Sequence, residues 1–500
     1  MTAALLQALP MAVVFVGAAV IMLLSRSPWA TLGRLNLAAV FFLGASFLLE
    51  LPRLGSSARL FWWREVFGHS FILDDFATLF DLMFTAGALL TLLINTDYFR
   101  RRRYYNGEYF ALILLSVFGM MLLAHANELV SAFISLEIAS LSIYALVGYH
   151  KNNLISSEAM MKYLILGSMT GVFFMLGTAL VYGAAGATDL TSIAAFIHRA
   201  NADETAMVIA GGTFIMVTIL FKIGAVPFHS WIVDVYHGAP YPVTMFIAST
   251  FKIAIFAIAL RLYLVDFAAV QSVWTPVLQV VTVLTLLGGS WLAISQNIVK
   301  RMLAGSSIVH GGYLLIAFTA SGVGSQAAAA SVMFYLIAYF LSAAGAFGVL
   351  SFIAAESRTQ MTYEDFKGFA DRRPYLALMM AVFMLSLSGF PSTIGFLGKY
   401  YIFTGAIDSG QLLLAALGVL TAFISVYYYF RLIAMMYFYP GEGAPQKLRI
   451  NLSSVLIALM ALLIVWGGIG TSLIPFFPGA DGFIDMAEKA VASLQLPGAP

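Results

Sequence analysis

The chain has 500 residues, of which 61% are hydrophobic and only 10% charged, with a formal net charge of +2. Soluble globular domains carry about 25% charged residues, so a bilayer and not water is the solvent of most of this surface. Cysteine is absent, which excludes disulfides, thiolate metal sites and Cys-ligated iron–sulfur clusters within the chain.

Apolar stretches of about 20 residues, each long enough to cross a hydrocarbon core of about 30 Å, recur along the chain and number about fourteen. The predicted spans are residues 5–24, 35–51, 76–93, 109–125, 129–148, 158–182, 208–228, 243–264, 273–294, 302–320, 327–355, 374–407, 412–437 and 452–474. The first lacks a basic leading region and a small-residue cleavage site, so it is read as a retained span. Residues 189–199 carry apolar side chains at helical spacing and predict a short helix lying along the surface. No soluble insertion interrupts the pattern, which makes residues 1–500 a single all-α polytopic membrane domain.

Most of the 26 Lys and Arg fall in loops on one side, led by Arg100, Arg101, Arg102 and Arg103, with Lys300 and Arg358 among the others. Arg53, Arg59, Arg64, Arg199, Arg261 and Lys489 are assigned to the opposite side. Cationic loops stay cytoplasmic, so both termini are expected on the periplasmic face of a bacterial inner membrane.

Two spans carry breakers. In FKIGAVPFHSW, Gly224 and Pro227 follow Lys222; in LSLSGFPSTIGFLGKYYIF, Gly389, Pro391, Gly395 and Gly398 precede Lys399. Proline removes a donor and clashes with the preceding turn, and such freed backbone is tolerated at membrane depth only against protein or a water-filled cavity. Broken helices in corresponding positions of two halves point to inverted repeats around a transport path, here two five-helix groups at residues 109–264 and 273–437.

Lys162, Lys222, Lys252, Lys399 and Arg431 remain inside or near spans. A charged lysine at the bilayer centre costs roughly 3 kcal/mol, so four together approach on the order of 10 kcal/mol, which suggests a function. Glu137, within SAFISLEIASLSIYALVGY, is flanked by apolar residues and needs a partner. A carboxylate and a buried ammonium tune each other's proton affinity, so a couple of Glu137 with Lys222 is a tunable proton gate.

Glu158 and Lys162 are spaced i,i+4 on one helix face, where they can pair for structure or for tuning. Lys252 has no acidic neighbour in sequence and either needs another segment to solvate it or snorkels to an interface. His310 titrates near neutrality and stands between Lys252 and Lys399 as a relay, or else is a satisfied core histidine. Arg431, in YYYFRLIAMMYF, reads as an aromatic-stacked anchor, and Asp81 is ambiguous. No phosphate loop, dinucleotide fingerprint or HExxH run is present, which leaves transport without nucleotide binding. Lysines are poor cation ligands but relay protons through water, which favours H⁺ over Na⁺.

The run FHSWIVDVYHGAPYPVTMFIASTFK, together with SSEAMMKYLILGS, KRMLAGSSIVHGGYLL and FMLSLSGFPSTIGFLGKYYIF, resembles subunit N of the proton-pumping NADH:quinone oxidoreductases, respiratory complex I, over residues 112–439. The resemblance implies fourteen helices with two inverted five-helix repeats. It implies that Glu137 and Lys222 form the coupling pair, Lys252 the central relay, His310 a bridge and Lys399 the terminal site, with Lys162 modulating the inlet side. It also implies that NAD, FMN, iron–sulfur clusters and quinone belong to partner subunits, that M-like and K-like membrane-arm subunits and lipids are the neighbours, and that protons are the cargo. No nucleic-acid partner is expected. The alternatives are a subunit-D-like component of a multi-subunit cation/proton antiporter, or the equivalent subunit of a complex fed by ferredoxin or a reduced deazaflavin.

Overall fold

The computed structural model describes residues 2–27, 30–54, 60–61, 70–102, 105–322, 325–356, 361–441, 450–469 and 479–494. Arg59, Arg64, Arg103, Arg358, Lys447 and Arg449 lie outside them, as does the predicted end of the last span at 474. Eleven helices among the described residues are long and apolar enough to cross a membrane, and three further apolar helices, Ala8–Leu24, Pro374–Ser388 and Leu452–Gly468, are shorter. The predicted spans overlap these helices, and the one predicted at 374–407 is divided between Pro374–Ser388 and Ile394–Asp408.

In chain order the main helices are α1 (Thr2–Leu24), α2 (Leu32–Glu50), α3 (Asp75–Ile94), α4 (Gly107–His125), α5 (Leu129–Val147), α6 (Leu154–Ala185), α7 (Ala202–Ile223) and α8 (Ser230–Gly238). They continue as α9 (Tyr241–Val265), α10 (Gln271–Ser295), α11 (Val299–Ser321), α12 (Gln326–Glu356), α13 (Pro374–Ser388), α14 (Ile394–Asp408), α15 (Leu412–Tyr437), α16 (Leu452–Gly468) and α17 (Ala480–Ala492). The predicted surface helix forms as Leu190–Ile197, capped by Asp189. One feature was not expected: Leu60–Phe61 and Ile72–Leu73 pair as an antiparallel ribbon.

Burial sorts the helices into an inner and an outer set. The most apolar stretches of α9 and α11 are entirely buried, whereas α2, α6, α10 and α15 leave more than half of theirs uncovered. The uncovered side chains are themselves large and apolar, among them Phe15, Leu37, Phe41, Trp291 and Phe423. A face of this kind is stable against lipid and not against water. Close helix approach relies on small residues: a Cβ on Gly177 of α6 would lie 2.4 Å from the Gly211 carbonyl of α7.

The two predicted breaks adopt one backbone design. Gly224 ends α7 at φ +79°, and Gly389 ends α13 at φ +82°. The Gly224 N–H donates to the Leu220 and Phe221 carbonyls while the Ala225 N–H donates to Leu220; Gly389 and Phe390 repeat this onto Leu385 and Ser386, then Leu385. This left-handed cap favours glycine because a Cβ is strained there. Thr393 then N-caps α14, accepting from the Phe396 N–H, so the chain re-enters helix directly. A third irregularity is a π-helical turn at Ile247–Phe251, immediately before Lys252.

Candidate functional site

Lys222 is the penultimate residue of α7 and is 1% exposed. Its Nζ donates to Ser140 Oγ at 2.8 Å and to Tyr144 OH at 2.7 Å. Both acceptors stand on α5, three and seven residues after Glu137, so they share its helical face. Glu137 is half-buried, its Oε1 has no hydrogen-bond partner, and no ion pair joins it to Lys222. The expected couple is therefore not a direct ion pair: Lys222 bonds to hydroxyls that stand on the helix carrying Glu137. Tyr144 packs edge-on against Tyr163, which stacks on Trp231 at 4.4 Å. The Trp231 Nε1–H donates to the Phe221 carbonyl at 2.9 Å, a second donor beside the Gly224 N–H at the break.

Lys252 has the same kind of surroundings. It is 3% exposed, and its Nζ donates to both the carbonyl and the hydroxyl of Ser307, each at 2.7 Å. The Ser307 hydroxyl also accepts from Tyr339 OH at 2.8 Å and lies 3.3 Å from Tyr236 OH. Snorkelling is ruled out, because the side chain ends among α11 and α12 inside the bundle. One turn along α11, His310 lies 2.6 Å from Tyr335 OH through Nδ1 and 3.0 Å from Tyr429 OH through Nε2. Its ring also meets Tyr339 at 4.9 Å and Tyr313 at 5.6 Å between centroids.

Lys399 completes this row at 4% exposure. Its Nζ lies 4.9 Å from the centre of the Tyr313 ring and donates to the carbonyls of Leu387 and Ser388 at 3.0 and 2.8 Å. These are terminal carbonyls of α13 that the break leaves without intrahelical donors. Between Lys252 and Lys399 stand Ser307, Tyr339, His310, Tyr335 and Tyr313, joined by hydrogen bonds at Lys252–Ser307–Tyr339 and at His310–Tyr335 and by ring contacts elsewhere, with Tyr313 offering Lys399 its ring face. Hydroxyls and a neutral imidazole both donate and accept, so such a row can pass protons, whereas carboxylate counter-ions are absent from it.

Lys162 stands apart, with its side chain 44% exposed. It forms the expected pair with Glu158 at 2.8 Å and a second with Asp234 at 2.8 Å. Asp234 also faces Arg301 at 3.5 Å, so this carboxylate of α8 joins α6 to α11. Arg431 stacks over the Tyr363 ring at 4.1 Å, the aromatic contact that its sequence context indicates.

Two cations assigned to loops prove to be buried. Lys300, second residue of α11, donates to the Ala239 carbonyl at 2.5 Å and the His237 carbonyl at 3.4 Å, at the C-terminal end of α8. Arg261 is bidentate to Asp74 at 2.9 and 3.0 Å and donates to the Ala124 carbonyl. Both sit close to predicted span ends, where composition does not separate a loop cation from an inward-turned one. The tyrosines of the row were also not singled out, although Ser307, His310 and Tyr313 stand at helical spacing in SSIVHGGY.

Residues 126–425 match the family described as NADH:quinone oxidoreductase/Mrp antiporter, TM. The chain is 39% identical over 446 residues to the NADH-quinone oxidoreductase subunit N of Trichlorobacter lovleyi, covering 89% of each chain. It is 36% identical over 430 residues to the NADH-quinone oxidoreductase subunit N 1 of Solibacter usitatus, covering 86% of each. A chain of respiratory complex I from Thermus thermophilus superposes with a TM-score of 0.77 at 29% identity, over 92% of this chain and 97% of that one. A chain of the Mrp complex from Dietzia sp. gives a TM-score of 0.85 at 20% identity, over 99% and 98%, a likeness of fold.

Proposed function

Because the chain belongs to the NADH:quinone oxidoreductase/Mrp antiporter transmembrane family, we propose that it carries protons across the membrane along Glu137, Lys222, Lys252, His310 and Lys399, with Lys162 tuning the inlet end. It is a membrane-arm subunit of the subunit N type, multi-pass, and stands among other antiporter-like subunits of respiratory complex I. The residue assignment rests above all on one observation: Lys252, His310 and Lys399 are buried along one row of tyrosine and serine side chains, with Lys252 on the Ser307 hydroxyl, His310 on the Tyr335 hydroxyl and Lys399 over the Tyr313 ring.

In this reading residues 109–264 and 273–437 are inverted repeats, supported by the identical caps at Gly224 and Gly389. Electron transfer from NADH through flavin and iron–sulfur clusters to quinone takes place in other subunits, and this chain holds no redox centre of its own. The host membrane is the bacterial inner membrane, with both termini on the periplasmic face. The chain's contribution is to hold a proton at each ammonium and hand it on when the neighbouring charge changes. Glu137 supplies that charge for Lys222, from the same helix face as the hydroxyls of Ser140 and Tyr144 that hold the ammonium.

The test uses membrane vesicles carrying Lys222→Ala or Glu137→Gln at matched assembly of the complex. NADH-driven quinone reduction and acidification of the vesicle lumen are expected to fall together. Unchanged oxidation with an unchanged proton gradient would make the couple structural and refute the mechanism.

A further inference from the structure

A second group of buried ionisable side chains lies away from the lysine row, where α2 ends, α3 begins and α4 ends. Glu50, Asp81 and His125 are each no more than 1% exposed. Arg53 reaches Glu50 at 3.6 Å from the rim, its side chain 23% exposed. This end of α3 is the one remote from Arg100, Arg101 and Arg102, because the intervening helix of 20 residues is about 30 Å long.

The hydrogen-bond inventory requires protons in this cluster. His125 Nδ1 lies 2.7 Å from the Ile72 carbonyl, which only accepts, so Nδ1 carries a hydrogen. The contact of Nε2 with Asp81 Oδ2 at 2.9 Å then needs a second proton between imidazole and carboxyl. Glu50 and Asp81 stand on two helices packed against each other, α2 and α3, and both carboxyls are buried in the same cluster. Asp81 Oδ1 and both Glu50 oxygens are buried with no donor directed at them. Two ionised carboxylates buried in one cluster repel, and one shared proton removes the repulsion and supplies the missing donor.

Other charges nearby are committed elsewhere. Asp74, at the start of α3, is closed by Arg261, and the buried Asp75 beside it has a partner of its own. Helix α17, which packs on α3, carries Asp481, Asp485, Glu488 and Lys489, and among the described residues none of these bonds to the cluster. No apolar neighbour can supply a hydrogen.

We infer that Glu50 and Asp81 share one exchangeable proton, with His125 as the fixed partner behind Asp81, forming a proton-holding site at the arginine-poor end of the bundle. On release the Glu50 O–H bond breaks, the proton passes Arg53 to water at that face, and a carboxylate remains beside the Arg53 guanidinium. Uptake is the reverse. The site does not depend on the lysine row being the pumping route.

The experiment is infrared spectroscopy of the assembled complex in H₂O and D₂O over a range of pH, comparing the native chain with Glu50→Gln and Asp81→Asn. The native complex is expected to show a protonated-carboxyl C=O band that shifts in D₂O and fades as pH rises, and each substitution is expected to remove it. A band that is the same in both variants, or that does not respond to pH, overturns the proposal. The Glu50→Gln amide reproduces the donor of the protonated acid, so this variant decides alone if Asp81→Asn does not assemble. Failure of Glu50→Gln itself to assemble also counts against the shared proton.

Discussion

The two broken helices share a backbone and differ in what their lysines do. At the first break Lys222 lies before the left-handed glycine and turns away to hydroxyls of α5, and the Phe221 carbonyl accepts from Trp231 as well as from Gly224. At the second break Lys399 lies after the glycine and turns back, placing its ammonium on the carbonyls of Leu387 and Ser388. The Val226 N–H freed at the first break goes to Thr285 Oγ1 on α10 at 3.0 Å. One architecture can thus detach a lysine from the scaffold or make it part of the scaffold. A proton leaving Lys222 alters contacts between side chains, whereas a proton leaving Lys399 alters the donors available to a helix end.

The largest expected effect separates the two glycines. A Cβ at residue 224 would lie 1.8 Å from Ile232 Cδ1, while at residue 389 it would meet the flexible Lys399 Cδ at 2.8 Å. Both substitutions incur about 1–2 kcal/mol from the left-handed conformation. Overpacking adds about 1–3 kcal/mol at Gly224→Ala. Thermal unfolding of the purified complex should therefore show Gly224→Ala as the worse lesion, and equal losses would remove the asymmetry.

Next comes Lys399→Met, which leaves two buried carbonyls without a donor and should destabilise by about 2–3 kcal/mol. Lys222→Met should lose less than about 1 kcal/mol, since the Ser140 and Tyr144 hydroxyls it abandons can bond to each other. The same melting measurement sharpens the contrast, and a Lys222→Met loss as large as that of Lys399→Met would contradict it. Trp231→Phe keeps the stack on Tyr163 but drops the hydrogen bond to Phe221, and is expected to cost about 1 kcal/mol with a rise in amide exchange at Gly224. Of similar size is Thr285→Ser, which keeps the hydroxyl facing Val226 and loses one buried methyl, about 0.8 kcal/mol.

Much of this site was legible in the sequence because a charge in an apolar run is expensive to keep. Lys222, Lys252 and Lys399 stand out on that ground, and the breaks show through their Gly and Pro residues. What the lysines touch was less legible. Tyrosine and serine are unremarkable inside a span, so Tyr144, Ser307 and Tyr335 gave no compositional signal, although Ser140 and Tyr144 lie on the helical face of Glu137. Lys300 and Arg261 were misassigned because capping an inward-facing helix end and facing water are indistinguishable near a span boundary. The sequence couples Glu137 with Lys222, and nothing in it indicated that the ammonium bonds to Ser140 and Tyr144 on the glutamate's helix.

The π-helical turn before Lys252 sets the phase of everything that follows it in α9. Each residue advances an α-helix by about 100°, and a π turn accommodates one residue beyond the regular count. Thr244, before the turn, donates to the Tyr236 carbonyl, while Lys252, after it, finds Ser307. Losing a single residue from Ile247–Phe251 would keep a continuous, equally apolar helix and rotate Lys252 by more than a quarter turn away from α11. A lesion invisible to hydropathy would thereby disconnect the row more thoroughly than neutralising one of its charges.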